Sequence, residues 1–210
     1  MVVTSVQKNN NSAYDLLSLS TKAFIKRVVR IGPNVTEGVP PCKKLDLDVP
    51  VDEIYEEIQN VKKYLRVNEP NSNTIGWKAF CIHGQSLHRT QHDSAYSDFL
   101  GHKWTPEALE HMPVTIKWLK SLGYKSFTRV RVMCLLPKGI INVHKDQTVS
   151  KLDPVNVAIN NPTGCKFYLE NHGELEFSPG VAYQLNLVNH HAVVNDSDVH
   201  RYHIIIHGSK

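Results

Sequence analysis

The sequence predicts a mainly β protein with flanking helices, folded as a sandwich, barrel or jelly roll. Three observations carry this expectation. From residue 125 onward the chain falls into short β-prone runs. Gly- and Pro-bearing turns at 137–139, 161–164, 171–173 and 178–180 separate several of them. Helical periodicity is confined to the part before that point. At 210 residues the chain suits one domain, 1–210, with ample material for a core. Residues 1–124 are then a mixed helical and strand part that packs on one sheet of the β core, 125–210.

In chain order, residues 1–12 are polar and expected to fray. Apolar residues recur at roughly helical intervals over 13–29, although 24–31 could also extend as a strand. Gly32-Pro33-Asn34 and Gly38-Val39-Pro40-Pro41 mark loops. Asp52 is a good N-cap, and Ile54, Ile58, Val61 and Leu65 give a helical stripe running to about Tyr64. A polar turn at 68–73 leads into a strand at 76–83. Residues 88–102 form a polar loop rich in His, Asp, Ser and Tyr. Thr105-Pro106-Glu107 opens a capped helix; Pro113 starts a second, which runs to about Leu122 and is ended by Gly123. The β-prone runs that follow are 127–136, 140–144, 154–160, 165–170, 174–177, 181–188, 192–194 and 201–207. There is no internal repeat.

Hydrophobic residues make up 41% of the chain and charged residues 21%, the balance of a soluble globular protein. The formal net charge is +4, with the basic residues scattered, which disfavours a nucleic-acid partner but suits an anionic cosubstrate. Cys42, Cys81, Cys134 and Cys165 form no C-x-x-C pair, so a zinc knuckle or thioredoxin-like site is not expected. Free thiols suit a reducing compartment and a cytoplasmic location. No apolar run approaches the ~20 residues of a membrane span, and the start lacks a signal-peptide apolar region. The sequons at Asn34 and Asn195 would go unused in a cytoplasmic chain.

Four residues carry the chemistry: His144, Asp146, His191 and Arg201. His144 and Asp146 stand two apart, so an extended chain turns both to one face. His191 would reach the same metal from a strand pairing across the barrel. Two imidazoles and one carboxylate on one face of Fe(II) leave three positions open, the ligand set of non-haem iron oxygenases. Arg201, on the last strand, suits a dicarboxylate cosubstrate, because a guanidinium grips a carboxylate through two parallel charge-assisted bonds. If the strands of His191 and Arg201 are antiparallel neighbours, Arg201 lies about one cosubstrate length from the metal. With twelve histidines in the chain, a lone His-x-Asp is weak; the combination with the distant His and Arg is what discriminates. His190 is the rival ligand, since a one-residue slip reverses which of the pair faces inward.

The stretch 136–208 resembles the aspartyl/asparaginyl β-hydroxylase family of 2-oxoglutarate- and Fe(II)-dependent oxygenases. The resemblance rests on Pro137-x-Gly139 with His144 seven residues after the proline, on Pro162-Thr163-Gly164-Cys165-Lys166, and on Pro179-Gly180. It ends with His191-Ala192-Val193-Val194-Asn195 and Arg201. It implies a double-stranded β-helix, the jelly-roll or cupin-like fold. It implies hydroxylation of a C–H bond, with Fe(II), 2-oxoglutarate and O2 as cofactors and succinate and CO2 as by-products. It makes His144 and His191 ligands and Arg201 the partner of the distal carboxylate. The even spacing from His191 to Arg201 favours His191 over His190. Asn156 falls where some members carry a His near the other carboxylate of 2-oxoglutarate. Animal members have Gly where this chain has Asp146, so this site resembles the complete facial triad, and Asp146 fills the place a halogenase leaves for halide. Pro154 stands near where the peptide hydroxylases carry an Arg, which points away from their substrate and towards a free amino acid or a cytosolic peptide or protein.

Arg129, Arg131 and Met133 alternate on one face of the run 127–136. They line a substrate cavity if that face is inward, and meet solvent if it is outward. Trp77, His83 and the loop 88–102 are lid candidates, or ordinary surface. His203 and His207 share the face of Arg201, as cosubstrate neighbours or barrel histidines, while Tyr183 and Gln184 are core or cavity wall. Two other readings compete. One is a non-oxygenase cupin-like metal barrel, which would not need Arg201. The other is a nucleic-acid dealkylase, which would want a basic, aromatic groove.

Overall fold

A computed structural model of the protein describes residues 12–33, 40–68, 73–90, 102–146 and 154–209. The frayed start expected over 1–12 lies outside them except for Ser12, as do the Asn34 sequon and most of the loop 88–102. Eleven strands and four α-helices are formed by the described residues. The helices are α1 (Leu19–Ile31), α2 (Val51–Val61), α3 (Pro106–His111) and α4 (Pro113–Ser121). The strands are β1 (Cys42–Leu45), β2 (Arg66–Val67), β3 (Thr74–Gly84), β4 (Lys103–Trp104), β5 (Ser126–His144), β6 (Val155–Ala158), β7 (Cys165–Leu169), β8 (Gly173–Leu175), β9 (Ala182–Leu185), β10 (His191–Asn195) and β11 (Arg201–Ser209).

All the strand pairs are antiparallel, in the order β1-β9-β6-β11-β5-β10-β7-β8, with β3 on the other edge of β5. The long strand β5 divides this path. Its residues 126–135 pair with β11, and its residues 140–144 pair with β10. One strand thus serves two sheets, β9-β6-β11-β5 and β5-β10-β7-β8, folded over each other as a jelly roll, the double-stranded β-helix. The sequence placed a turn at Pro137-Lys138-Gly139, whereas β5 runs through it. Residues 136–139 fall between the β11 ladder and the β10 ladder, so Pro137 removes no needed donor. Lys138 takes the left-handed conformation there, at φ 58°.

Three apolar layers follow. Even-numbered residues of β5 (Val130, Val132, Cys134) point out and meet Ile54 and Ile58 of α2, Met112 between α3 and α4, and Ile116 and Leu119 of α4. Between the sheets lie Leu135, Ile141, Phe167, Leu169, Phe177, Leu185 and Val193. Outside the second sheet, Phe24 and Val28 of α1 pack with Ile140, Tyr168, Ala192 and Val194. Helices therefore cover both sheets, where the sequence reading put them on one. The expected helix at 13–29 is split: a 3-10 turn, Ala13–Leu16, precedes α1, and the Ser18 side chain caps Thr21. Asp52 sits in the first turn of α2, where it favours the helix dipole, while Pro50 holds the cap position. Buried Glu57 caps α4 from α2, accepting Val114 N–H at 2.7 Å, Thr115 N–H at 2.9 Å and the Thr115 hydroxyl at 2.6 Å. No helix among the described residues is long and apolar enough to cross a membrane.

Candidate metal centre and cosubstrate pocket

The second sheet brings His144 and His191 together directly. They stand opposite each other in the β5–β10 ladder, ring centroids 4.2 Å apart. Asp146 follows the end of β5, and its N–H donates to Leu187 O at 3.0 Å, which holds it beside the ladder. Asp146 Oδ1 lies 3.6 Å from His144 Nε2, and one ligand atom from each of the three residues lies within 4.8 Å of the others. No second such group of His, Cys, Asp or Glu exists among the described residues.

The two imidazoles are oriented alike. His144 Nδ1 is 2.8 Å from Asn142 O, and His191 Nδ1 is 3.2 Å from Asn189 O. A carbonyl only accepts, so each Nδ1 carries a proton, and it is Nε2 that offers its lone pair to a metal in the neutral ring. That is the usual outer support of a metal-bound histidine. Burial, and then neighbouring His144, hold the pKa of His191 well below the ordinary imidazole value, which keeps it neutral and able to ligate. His191 also stacks flat on Phe167, at 5.8 Å and 3°. The donor set therefore fits a divalent metal.

A cavity of about 410 Å³ opens from this group between the sheets. Arg201, at the start of β11, lines it while being 4% exposed. Its guanidinium lies over the Phe177 ring at 6.0 Å, and its Nη2 is 3.0 Å from His203 Nδ1. Its Nε has no hydrogen-bond partner, and no carboxylate among the described residues pairs with it. An uncompensated buried cation is costly, so an anion at this end of the cavity would be favoured. The two strands carrying His191 and Arg201 are not neighbours, so the condition of direct pairing is not met: each pairs with β5, one on each of its halves.

Residues 49–210 match the family model for aspartyl/asparaginyl beta-hydroxylase. The chain belongs to the aspartyl/asparaginyl β-hydroxylase family. It is a 2-oxoglutarate- and Fe(II)-dependent dioxygenase, a hydroxylase using Fe(II), 2-oxoglutarate and O2. Among solved structures it is similar to a prolyl hydroxylase from Trichoplax adhaerens, in complex with a hypoxia inducible factor oxygen degradation domain peptide fragment. That likeness has a TM-score of 0.52 and 14% identity, over 89% of this chain and 88% of that one, and it is one of fold. A Pseudomonas putida prolyl-4-hydroxylase matches with a TM-score of 0.48 and 13% identity, over 90% of this chain and 98% of that one. No curated protein sequence matches the chain.

In this hydroxylase the remaining sequence candidates sort by strand face. Arg129, Arg131 and Met133 point inward and line the cavity, so the solvent-facing alternative is overturned. Arg129 and Arg131 both donate to Thr90 O at 2.9 Å, and Arg131 Nη2 is 3.3 Å from His207 Nε2. Asn156 lines the cavity beside Arg201, with its Oδ1 2.6 Å from His203 Nδ1. His203 is fully buried, and burial and then the Arg201 charge keep its pKa well below the usual value. Trp77 lines the cavity; His83 does not, being packed against Trp104 at 4.9 Å and Phe127 at 5.9 Å. His190 turns away from the cavity, with its ring on Glu170 at 2.8 Å. Tyr183 is core, its hydroxyl donating to Glu176 O at 3.2 Å. All four cysteines are free. Asn195 is fully buried and its amide nitrogen serves three carbonyls, which closes that sequon to glycosylation. Sequence reasoning missed Asn142 and Asn189, whose carbonyls orient the two imidazoles; each sits two residues before its histidine, a spacing with no motif value.

Proposed function

We propose that His144, Asp146 and His191 hold the Fe(II) and that Arg201 binds the distal carboxylate of 2-oxoglutarate, with Asn156 and His203 beside it. The observation that carries this reading is the convergence of the three ligand atoms within 4.8 Å, beside a buried guanidinium that no protein carboxylate answers. Held by these residues, Fe(II) and 2-oxoglutarate would supply the oxidising chemistry, in which O2 and 2-oxoglutarate would give succinate and CO2 and a substrate C–H would become C–OH. The protein's own part is positioning. The Asn142 and Asn189 carbonyls fix the imidazole tautomers. Phe167 and Leu185 give the cavity apolar wall, and the Phe177 ring lies against the Arg201 guanidinium. Arg201 sets the reach of the cosubstrate by fixing one end of it.

Trp77, Arg129, Arg131 and His207 form part of the remaining wall, which we assign to the substrate: an amino acid, free or within a peptide. Residues 1–124 and 125–210 act as one catalytic unit in this reading, since α1 and α2–α4 cover the two sheets. The four free thiols support a reducing, cytoplasmic location.

The test combines Fe(II) binding with succinate formation across free amino acids and peptides. His191→Ala should abolish both, whereas His190→Ala, on the outward residue, should retain most of each. The reverse pattern would overturn the ligand assignment.

A further inference from the structure

His144 faces the cavity because of an irregularity in β5. His191 pairs with His144, but Val193 pairs with Ile141, so Asn142 and Val143 together oppose Ala192. This is a β-bulge, which re-aims the side chains that follow it. Ile141 packs inside the barrel. Under strict alternation Val143 would also point inward and His144 outward. The extra residue reverses that and delivers the imidazole to the cavity.

A bulge takes a backbone group out of the ladder, and here α1 supplies its partner. Val143 N–H donates to the Thr21 hydroxyl at 2.9 Å. The same hydroxyl donates to Asn142 Oδ1 at 2.8 Å, and Ser18 N–H donates to that oxygen at 3.0 Å. The backbone carbonyl of the same Asn142 accepts from His144 Nδ1 at 2.8 Å. Thr21 is 0% exposed and Asn142 8%, so water cannot replace these bonds. Thr21 also precedes residue 49, where the family match begins.

We propose that Thr21 is a positioning residue for the metal centre: from a helix outside the family match, it clamps the Asn142–Val143 bulge that aims His144. This rests on reading His144 as a ligand. The test is Co(II) titration of the full-length protein, followed by calorimetry and by the visible ligand-field bands, which needs no turnover. Thr21→Val keeps the shape and removes the hydroxyl, and Thr21→Ala does so without added bulk. Each should weaken Co(II) about tenfold and shift the bands, the lower end of what loss of outer-shell support costs. Thr21→Ser keeps the hydroxyl and should restore both. Val28→Ala, buried on the same helix, should lower Tm and leave Co(II) affinity unchanged. Wild-type Co(II) binding in Thr21→Val and Thr21→Ala would overturn the proposal, as would an equal loss in Val28→Ala. Co(II) binding that survives His144→Ala would instead sink the ligand reading itself.

Discussion

Arg201 is the residue on which the cosubstrate assignment turns. It is buried, and its nearest polar neighbours are His203 and, through it, Asn156. Neither offers a negative charge, so a bound carboxylate is what would compensate the guanidinium. Truncating one partner of a buried charge pair costs on the order of 2–5 kcal/mol, much of it from the charge left unpaired. Arg201→Ala should therefore raise the apparent KM for 2-oxoglutarate at least about tenfold while metal binding is kept. Arg201→Lys should fall between, because the charge survives and the planar fork does not. Succinate production against 2-oxoglutarate concentration measures both, and an unchanged KM in Arg201→Ala would remove the assignment. His203 should behave differently. Protonation would set a second cation 3.0 Å from Arg201, and its depressed pKa keeps it neutral at working pH. His203→Gln should thus perturb the 2-oxoglutarate KM without the pH dependence that loss of a titrating group would bring, which a KM profile from pH 6 to 8 reads directly.

At the scale of elements, the crossing strand β5 is what makes two sheets from one chain, and its corner depends on Gly139. A Cβ there would meet Leu136 O at 2.7 Å, Leu135 Cδ1 at 2.8 Å and Ile75 O at 3.0 Å. Two of those atoms are backbone and cannot rotate away. Gly139→Ala should cost about 1–3 kcal/mol, as overpacking does, and lower Tm by several degrees. A melt indistinguishable from wild type would show that the corner can relax. The same strand marks the limit of what the sequence discloses. The spans of β3, β6, β7, β10 and β11 are legible, because their β-prone runs end at Gly, Pro or Asn turns, whereas their pairing order is not. The convergence of His144, Asp146 and His191 is legible too, because an i, i+2 motif and a distant His need only rough placement. Pro137-Lys138-Gly139 misled, since its composition signals a turn, and only the register shows that residues 136–139 lie between two ladders. β1, with its exposed lysines, and the two-residue β4 have no apolar alternation to betray them. Thr21 and Asn142 carry no motif at all: their role exists only once a bulge sets His144 against His191.

For the molecule as a whole, the buried histidines tie the fold to pH. His191 and His203 lie inside the barrel, and His83 is packed among Trp104 and Phe127; burial lowers the pKa of all three, that of His83 to about 4. In the unfolded chain each would titrate near 6.5. Below that pH the unfolded state takes up protons that the folded state refuses, so the stability of the fold falls as pH drops. His191 and His203 can each contribute a slope of up to about 1.4 kcal/mol per pH unit, and His83 adds in the same direction. Glu170 and Asp196 also act this way, but lower: their carboxyls are held below the ordinary values of 4.5 and 3.8, through His190 and Arg27 for Glu170 and through Ala13, Ser12 and Lys138 for Asp196. Their stabilisation is lost only once pH falls below about 4.5. The metal-free protein should therefore show a urea midpoint that holds from pH 8 to 7 and falls steadily from about 6.5 towards 4, ahead of the carboxylate window. Excess Co(II) should raise the midpoint most at the neutral end, because the metal needs the neutral imidazoles and competes with protons for them. A midpoint flat between pH 6.5 and 5 in the metal-free protein would mean that these histidines take up protons without unfolding, and that the barrel interior opens to water more readily than its packing implies.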